Sequence, residues 1–170
     1  MAKNKFLLLF ILCCAVPLIL AYLVLRMGWF ESGVTSKGHW QTEEVFVLEP
    51  TAEQAHWRIT VLPAKECEQL CQNAVYTVQQ LFIGLGRKQQ QVQPVLVTTE
   101  PMTTLPSSFN QHTAKQQLNA ELANHIVLVD YQGLALLRYP MPNTEDEMVL
   151  TAKALRQDLL KLLNYDRTEV

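Results

Sequence analysis

Trp57-Arg58-Ile59-Thr60-Val61-Leu62-Pro63-Ala64-Lys65-Glu66-Cys67-Glu68-Gln69-Leu70-Cys71 is the stretch on which the fold turns. Its first six residues alternate apolar and polar and end on two apolar ones, which suits a strand. Pro63 and Ala64 close that strand. From Cys67 onward, Leu70, Cys71, Ala74, Val78, Leu81, Phe82 and Leu85 recur at steps of three and four, a helical spacing. Gly84 and Gly86 stand where a helix stop belongs. A strand therefore leads into a helix, with two cysteines at the junction.

Working toward the C-terminus, Val92–Thr98 reads as a second strand, with Pro94 placing an irregularity near its start. Residues 99–110 carry Pro101, Pro106 and two serines and read as a loop. Ala114, Leu118 and Leu122 mark one face of a short helix. Ile126–Asp130 is a third strand, Asp130-Tyr131-Gln132-Gly133 a turn, and Leu134–Tyr139 an antiparallel return. Thr144-Glu145-Asp146-Glu147 has the capping-box form, and its three acids suit the positive end of a helix dipole. Met148, Ala152, Leu155, Leu159, Leu162 and Leu163 give that last helix its apolar stripe. The order is strand, helix, strand, helix, strand, strand, helix. A parallel, right-handed first unit followed by an antiparallel pair predicts a thioredoxin-like α/β fold. The expected core is a four-stranded mixed sheet with helices on both faces.

Working toward the N-terminus, Phe6–Leu25 is an uncharged apolar run of twenty residues. As a helix it rises about 30 Å, the thickness of a bilayer core. A cleaved signal peptide has a shorter apolar stretch and a small-residue cleavage site, so the expectation is an uncleaved anchor. Pro17 predicts a kink. Lys3 and Lys5 on one side, against Arg26 on the other, place the N-terminus in the cytoplasm. Trp29 and Phe30 suit the outer interface. The expectation is a single-pass protein of the bacterial inner membrane with a periplasmic soluble domain. Residues 1–27 are the anchor, 28–54 a linker with an edge strand at Val45–Leu48, and 55–165 the thioredoxin-like domain.

Charge excludes one class of partner. Of 14 basic residues, Lys3, Lys5 and Arg26 flank the apolar run, whereas all 16 acidic residues follow it. The remainder of the chain carries a formal charge of -5, and no basic patch interleaves with aromatics. Nucleic-acid binding, which neutralises phosphates, is not expected.

Cys13 and Cys14 lie inside the apolar run and read as small apolar residues in lipid. Cys67 and Cys71 differ, because one helical turn brings their Cα atoms to about 6 Å, within disulfide range. A helix N-terminus stabilises a thiolate, and thiolate is both a nucleophile and a soft ligand for Cu(I). Three readings stay open: a structural disulfide or buried thiols, a copper site, and thiol–disulfide exchange. No nucleophile elbow, phosphate loop or zinc-protease motif is present. His39, His56 and His112 read as ordinary surface residues.

The chain resembles the Sco-type copper proteins of cytochrome c oxidase assembly, which are membrane-anchored and thioredoxin-like. The resemblance rests on the CxxxC pair Cys67–Cys71, on Val97-Thr98-Thr99-Glu100-Pro101, and on Leu128-Val129-Asp130-Tyr131-Gln132-Gly133 before the hairpin. It spans about residues 55–165. Glu68 stands where that family has a proline after its first cysteine. An ungapped match puts Leu122 in the place of the family's copper-binding histidine, with His125 three residues on. The resemblance implies a role in oxidase biogenesis, with oxidase subunits or assembly factors as partners and copper as the one expected cofactor. Cys67, Cys71 and His125 are its candidate copper ligands, and Cys67 and Cys71 its redox pair. Disulfide oxidoreductases of the thioredoxin class carry a CxxC pair and a proline just before the third strand. Here the spacing is CxxxC and Leu122-Ala123-Asn124-His125 precedes that strand. The alternative is a thioredoxin-fold binding or scaffold module without catalysis, its cysteine pair structural or vestigial.

Overall fold

The structure is a computed structural model and describes residues 2–26, 36–51, 57–64, 66–99, 102, 105–113 and 120–165. The chain divides into two compact units, Met1–Thr35 and Ser36–Val170.

The first unit holds helix α1, Ala2–Arg26, with Pro17 inside it and Arg26 in its last turn. Leu9, Phe10, Ile11, Leu18, Ile19 and Tyr22 are all exposed along it. Such a helix, apolar all round, has no single face to bury. Among the described residues no helix is long and apolar enough to cross a membrane.

The second unit is built on one sheet. Its strands are β1 His39–Trp40, β2 Trp57–Leu62, β3 Val92–Thr98, β4 Asn110–Thr113, β5 His125–Val129 and β6 Ala135–Pro140. Their spatial order is β1-β6-β5-β2-β3-β4. β2 pairs parallel with β3 and antiparallel with β5, and β5 pairs antiparallel with β6. The sheet thus has six strands, which corrects the expected four. The additions are its edges: β1 against β6 and β4 parallel to β3. They are two and four residues long, and all but one of those residues are exposed. An element so short and polar carries no burial alternation to read. Pro94 lies in β3 opposite Ile59 of β2, one residue before β4 joins the other side of the strand at Val95.

Both described helices of this unit lie on one face. Helix α2, Gln69–Gly84, and helix α3, Glu145–Tyr165, share a core with Ile59, Val61, Leu96, Ile126, Leu128 and Leu137. On the other face Leu62, Val95, Val97, Val127 and Val129 pack with Leu48, Leu122 and Ala135. The helix expected from Ala114 to Leu122 lies outside the described residues over 114–119, and residues 120–124 form a turn. The capping box is present: the Glu147 amide donates to Thr144 Oγ1 (3.3 Å), and Glu147 Oε2 accepts from the Thr144 and Asn143 amides.

The strand β2 departs from the expected alternation, because all six of its residues are buried. Arg58, only 3 % exposed, turns its guanidinium to backbone carbonyls. It donates to Asp130 O (2.7 Å) and Glu49 O (2.7 Å). Burial lowers its pKa, and the Asp130 charge opposes that shift. Arg58 thereby pins residue 49 to the β5–β6 turn. At that turn Gly133 adopts φ +96°, and a Cβ on it would overlap the Leu48 carbonyl.

Residues 36–51 therefore pack on the domain. Asp158 of α3, buried, accepts from the Lys37 amide (2.6 Å), the Gly38 amide (2.9 Å) and the Tyr139 hydroxyl (2.8 Å). Further along, Phe46 bridges Leu134, where an edge strand was expected. Burial, then the hydrogen bond to Asp158 and its negative charge, push the Tyr139 phenol above its ordinary value of 10.0. A raised folded-state pKa gives stability that is full below the unfolded value and fades above it. Folding should lose about 1.4 kcal/mol per pH unit from this group above pH 10. Urea unfolding of wild type and Tyr139→Phe between pH 8 and 11 checks this. The variant should be less stable at pH 8, and the difference should shrink as pH rises.

Candidate functional site

The site forms where β2 leaves the sheet. Pro63 ends the strand, and α2 begins only at Gln69, with Glu68 as its N-cap in extended conformation and without a side-chain cap bond. The Gln72 amide returns to Glu68 O (2.9 Å), which closes the first helical turn. Cys67 thus lies one residue before the cap and Cys71 in the first turn. Their sulfurs form a disulfide with the Cα atoms 5.0 Å apart. Cys71 is 2 % exposed and belongs to the helical core, whereas Cys67 is only partly buried at its margin.

Beside the pair is a pocket of about 200 Å3 lined by Pro63, Ala64, Glu66, Glu68, Leu70, Cys71 and Asn124. Asn124 is the residue that sequence reading passed over. It adopts φ 59°, the left-handed region that asparagine tolerates far better than most residues. Its amide donates to Leu62 O (2.7 Å), its Oδ1 accepts from the Ala64 amide (3.0 Å), and its carbonyl accepts from the Met141 amide (3.2 Å). The available signal was an asparagine just before a strand, at the position where thioredoxin-class oxidoreductases carry proline. Asn73, buried in α2, donates to the Asn143 carbonyl (3.3 Å) and holds the helix to the same 141–143 segment.

The sequence-predicted ligands are not brought together as a set. Cys67 and Cys71 are joined to each other. His125 opens β5 opposite Leu62, so strand alternation directs it to the face of Val127 and Val129. Cys71 packs on the other face, with Ile126 and Leu128. The His125 Nδ1–H donates to the Ala123 carbonyl at 2.8 Å. Among the described residues no three His, Cys, Asp or Glu side chains gather as a metal site. In this disulfide form both sulfurs are bonded to each other, and the imidazole starts from the opposite face of the sheet. Of the other histidines, His39 in β1 and His112 in β4 are exposed, and His56 lies outside the described residues.

The central strand order β6-β5-β2-β3, with a cysteine pair at the β2–α2 junction, defines a thioredoxin-like domain. The family model described as "transmembrane-like, thioredoxin-like, C-terminal domain" matches residues 57–166, and the chain belongs to that family. No curated protein matches the chain. Solved structures similar to it include apo Sco1 from Thermus thermophilus, at 16% identity and TM-score 0.49, covering 75% of this chain and 96% of that one. A SCO1/SenC family lipoprotein from Bacillus anthracis gives 12% identity and TM-score 0.46, covering 73% of this chain and 95% of that one. Yeast Sco1 with copper bound gives 10% identity and TM-score 0.42, covering 68% and 78%. These are likenesses of fold.

The unequal burial of the two sulfurs has a direct chemical consequence. After reduction, iodoacetamide should label Cys67 at least about tenfold faster than Cys71, since thiol reactivity follows access. Peptide mapping of the briefly labelled, folded protein measures the ratio, and equal labelling would contradict the burial pattern.

Proposed function

We propose that this chain is a membrane-tethered, Sco-like accessory protein of cytochrome c oxidase biogenesis that acts by thiol redox at Cys67 and Cys71. The observation that carries the reading is a disulfide at a helix N-terminus, with Cys67 only partly buried and Cys71 lining the adjacent pocket. In the reduced form the Cys67 thiolate attacks a partner disulfide, and one partner sulfur leaves as thiolate. Cys71, as thiolate, then attacks Cys67 Sγ and releases the second partner sulfur. The partner gains two electrons and becomes a dithiol, and this chain is left with the disulfide seen here. A dithiol reductant restores it by the reverse exchange. The reading takes its biological setting from the Cys67–Cys71, Val97–Pro101 and Leu128–Gly133 resemblance, which implies oxidase subunits or assembly factors as partners.

The tether is α1. Its support is the uncharged run Phe6–Leu25, its helical form over Ala2–Arg26 and the exposed apolar side chains along it. Lys3 and Lys5 favour a cytoplasmic N-terminus, and the disulfide suits the periplasm of a bacterium. Copper enters only as possible cargo of the reduced pair, since thiolates are the soft donors that Cu(I) prefers. No step is assigned to it.

The test is complementation of a chromosomal deletion in the source organism, with cytochrome c oxidase activity as the readout. The wild-type gene should restore activity, and a Cys67→Ser, Cys71→Ser double variant of equal abundance should not. Full rescue by the double variant would favour the scaffold reading. A deletion without effect on the oxidase would end the assignment. Cu(I) titration of the reduced wild type against the same variant reports separately on cargo binding.

A further inference from the structure

We infer that Asn124 is the positioning residue of the cysteine pair, an inference that rests on the thiol-redox reading. Cys67 belongs to the six-residue connection 63–68 between β2 and α2. Cys71 is fixed by the helix and its core contacts, so the spacing of the two sulfurs follows from how the connection is held. Asn124, just before the neighbouring strand β5, holds the start of that connection: its amide donates to the carbonyl of Leu62, the last residue of β2, and its Oδ1 accepts from the Ala64 amide. Its carbonyl meanwhile takes the Met141 amide, so the same residue anchors to the start of the α3 connection. All three contacts are made from a left-handed backbone at φ 59°, which glycine, asparagine and aspartate adopt at the smallest cost. Asn124 also lines the pocket beside Cys71.

The consequence is chemical. Closing a disulfide within one chain depends on how often the two thiols stand within reach, which is an effective concentration. The Asn124 side chain raises that concentration by restraining Ala64, three residues before Cys67. Loss of the Oδ1 acceptor should therefore favour the dithiol. The loss of one net hydrogen bond corresponds to about a fivefold change in the equilibrium constant.

The experiment equilibrates the detergent-solubilised full chain with glutathione buffers and counts reduced Cys67 and Cys71 by alkylation and mass spectrometry. Asn124→Gly keeps the backbone conformation and removes the acceptor; Asn124→Asp keeps both. The glycine variant should shift about fivefold toward the dithiol, and the aspartate variant should stay within about twofold of wild type. A glycine variant indistinguishable from wild type, or an aspartate variant shifted as far as glycine, would overturn the inference. Hydrogen exchange on the unmodified oxidised chain gives an independent check: the Ala64 amide should be protected, and exchange at the free-peptide rate would equally refute it. A wild-type disulfide that never equilibrates with glutathione would instead remove the thiol-redox reading beneath it, so the two failures are separable.

Discussion

The structure depends on keeping β2 dry on both faces. Trp57, Ile59 and Val61 face the helices, and Arg58, Thr60 and Leu62 face the opposite side, where Leu48, Leu122 and the valines of β3 and β5 collect. A strand buried on both sides takes its polar groups out of reach of water, and the Thr60 hydroxyl finds no hydrogen-bond partner among the described residues. Arg58 donates to the carbonyls of Glu49 and Asp130, and in doing so it recruits residues outside the sheet's own ladder. The burial of one cation thus draws the 45–50 segment and the β5–β6 turn onto the same face. At its other end the same strand delivers Leu62, Pro63 and the cysteine junction to a fixed place.

Much of this was legible in the sequence because the core obeys simple periodicities. Trp57–Leu62 and Val92–Thr98 were read with the bounds they have, and the Thr144–Glu147 capping box predicted the start of α3. The Asp130–Gly133 turn is present with Asp130 Oδ1 accepting from the Gln132 and Leu134 amides. What escaped was whatever depends on distant partners. Arg58 and Thr60 look like a solvent face until the packing of the second layer is known. The edges β1 and β4 exist because β6 and β3 offer unpaired backbone, which no local pattern announces. Asp158 sits among helix surface residues in sequence, yet it binds amides some 120 positions away.

The candidate site divides along the same line. The cysteine spacing and its place at a strand–helix junction are local facts, and the pair lies there. Which face His125 starts from is by contrast a matter of the register of β5 against β2. Asn124 escaped because its importance lies in three hydrogen bonds to two separate segments, residues 62–64 and Met141. A residue that works by tying segments together leaves no pattern in its own neighbourhood.

A proline at the entry to the third strand restricts the backbone by its ring and gives up its N–H. An asparagine in the left-handed region restricts it differently, by making both backbone groups and the side-chain carbonyl part of the structure. Here the amide, the carbonyl and Oδ1 of Asn124 are all engaged within the protein. The edge of the cleft beside the cysteines is consequently spoken for, and it offers an incoming extended chain no free main-chain donor or acceptor at that residue. The same bonds that hold the sulfurs together thereby narrow the ways in which another protein can reach them.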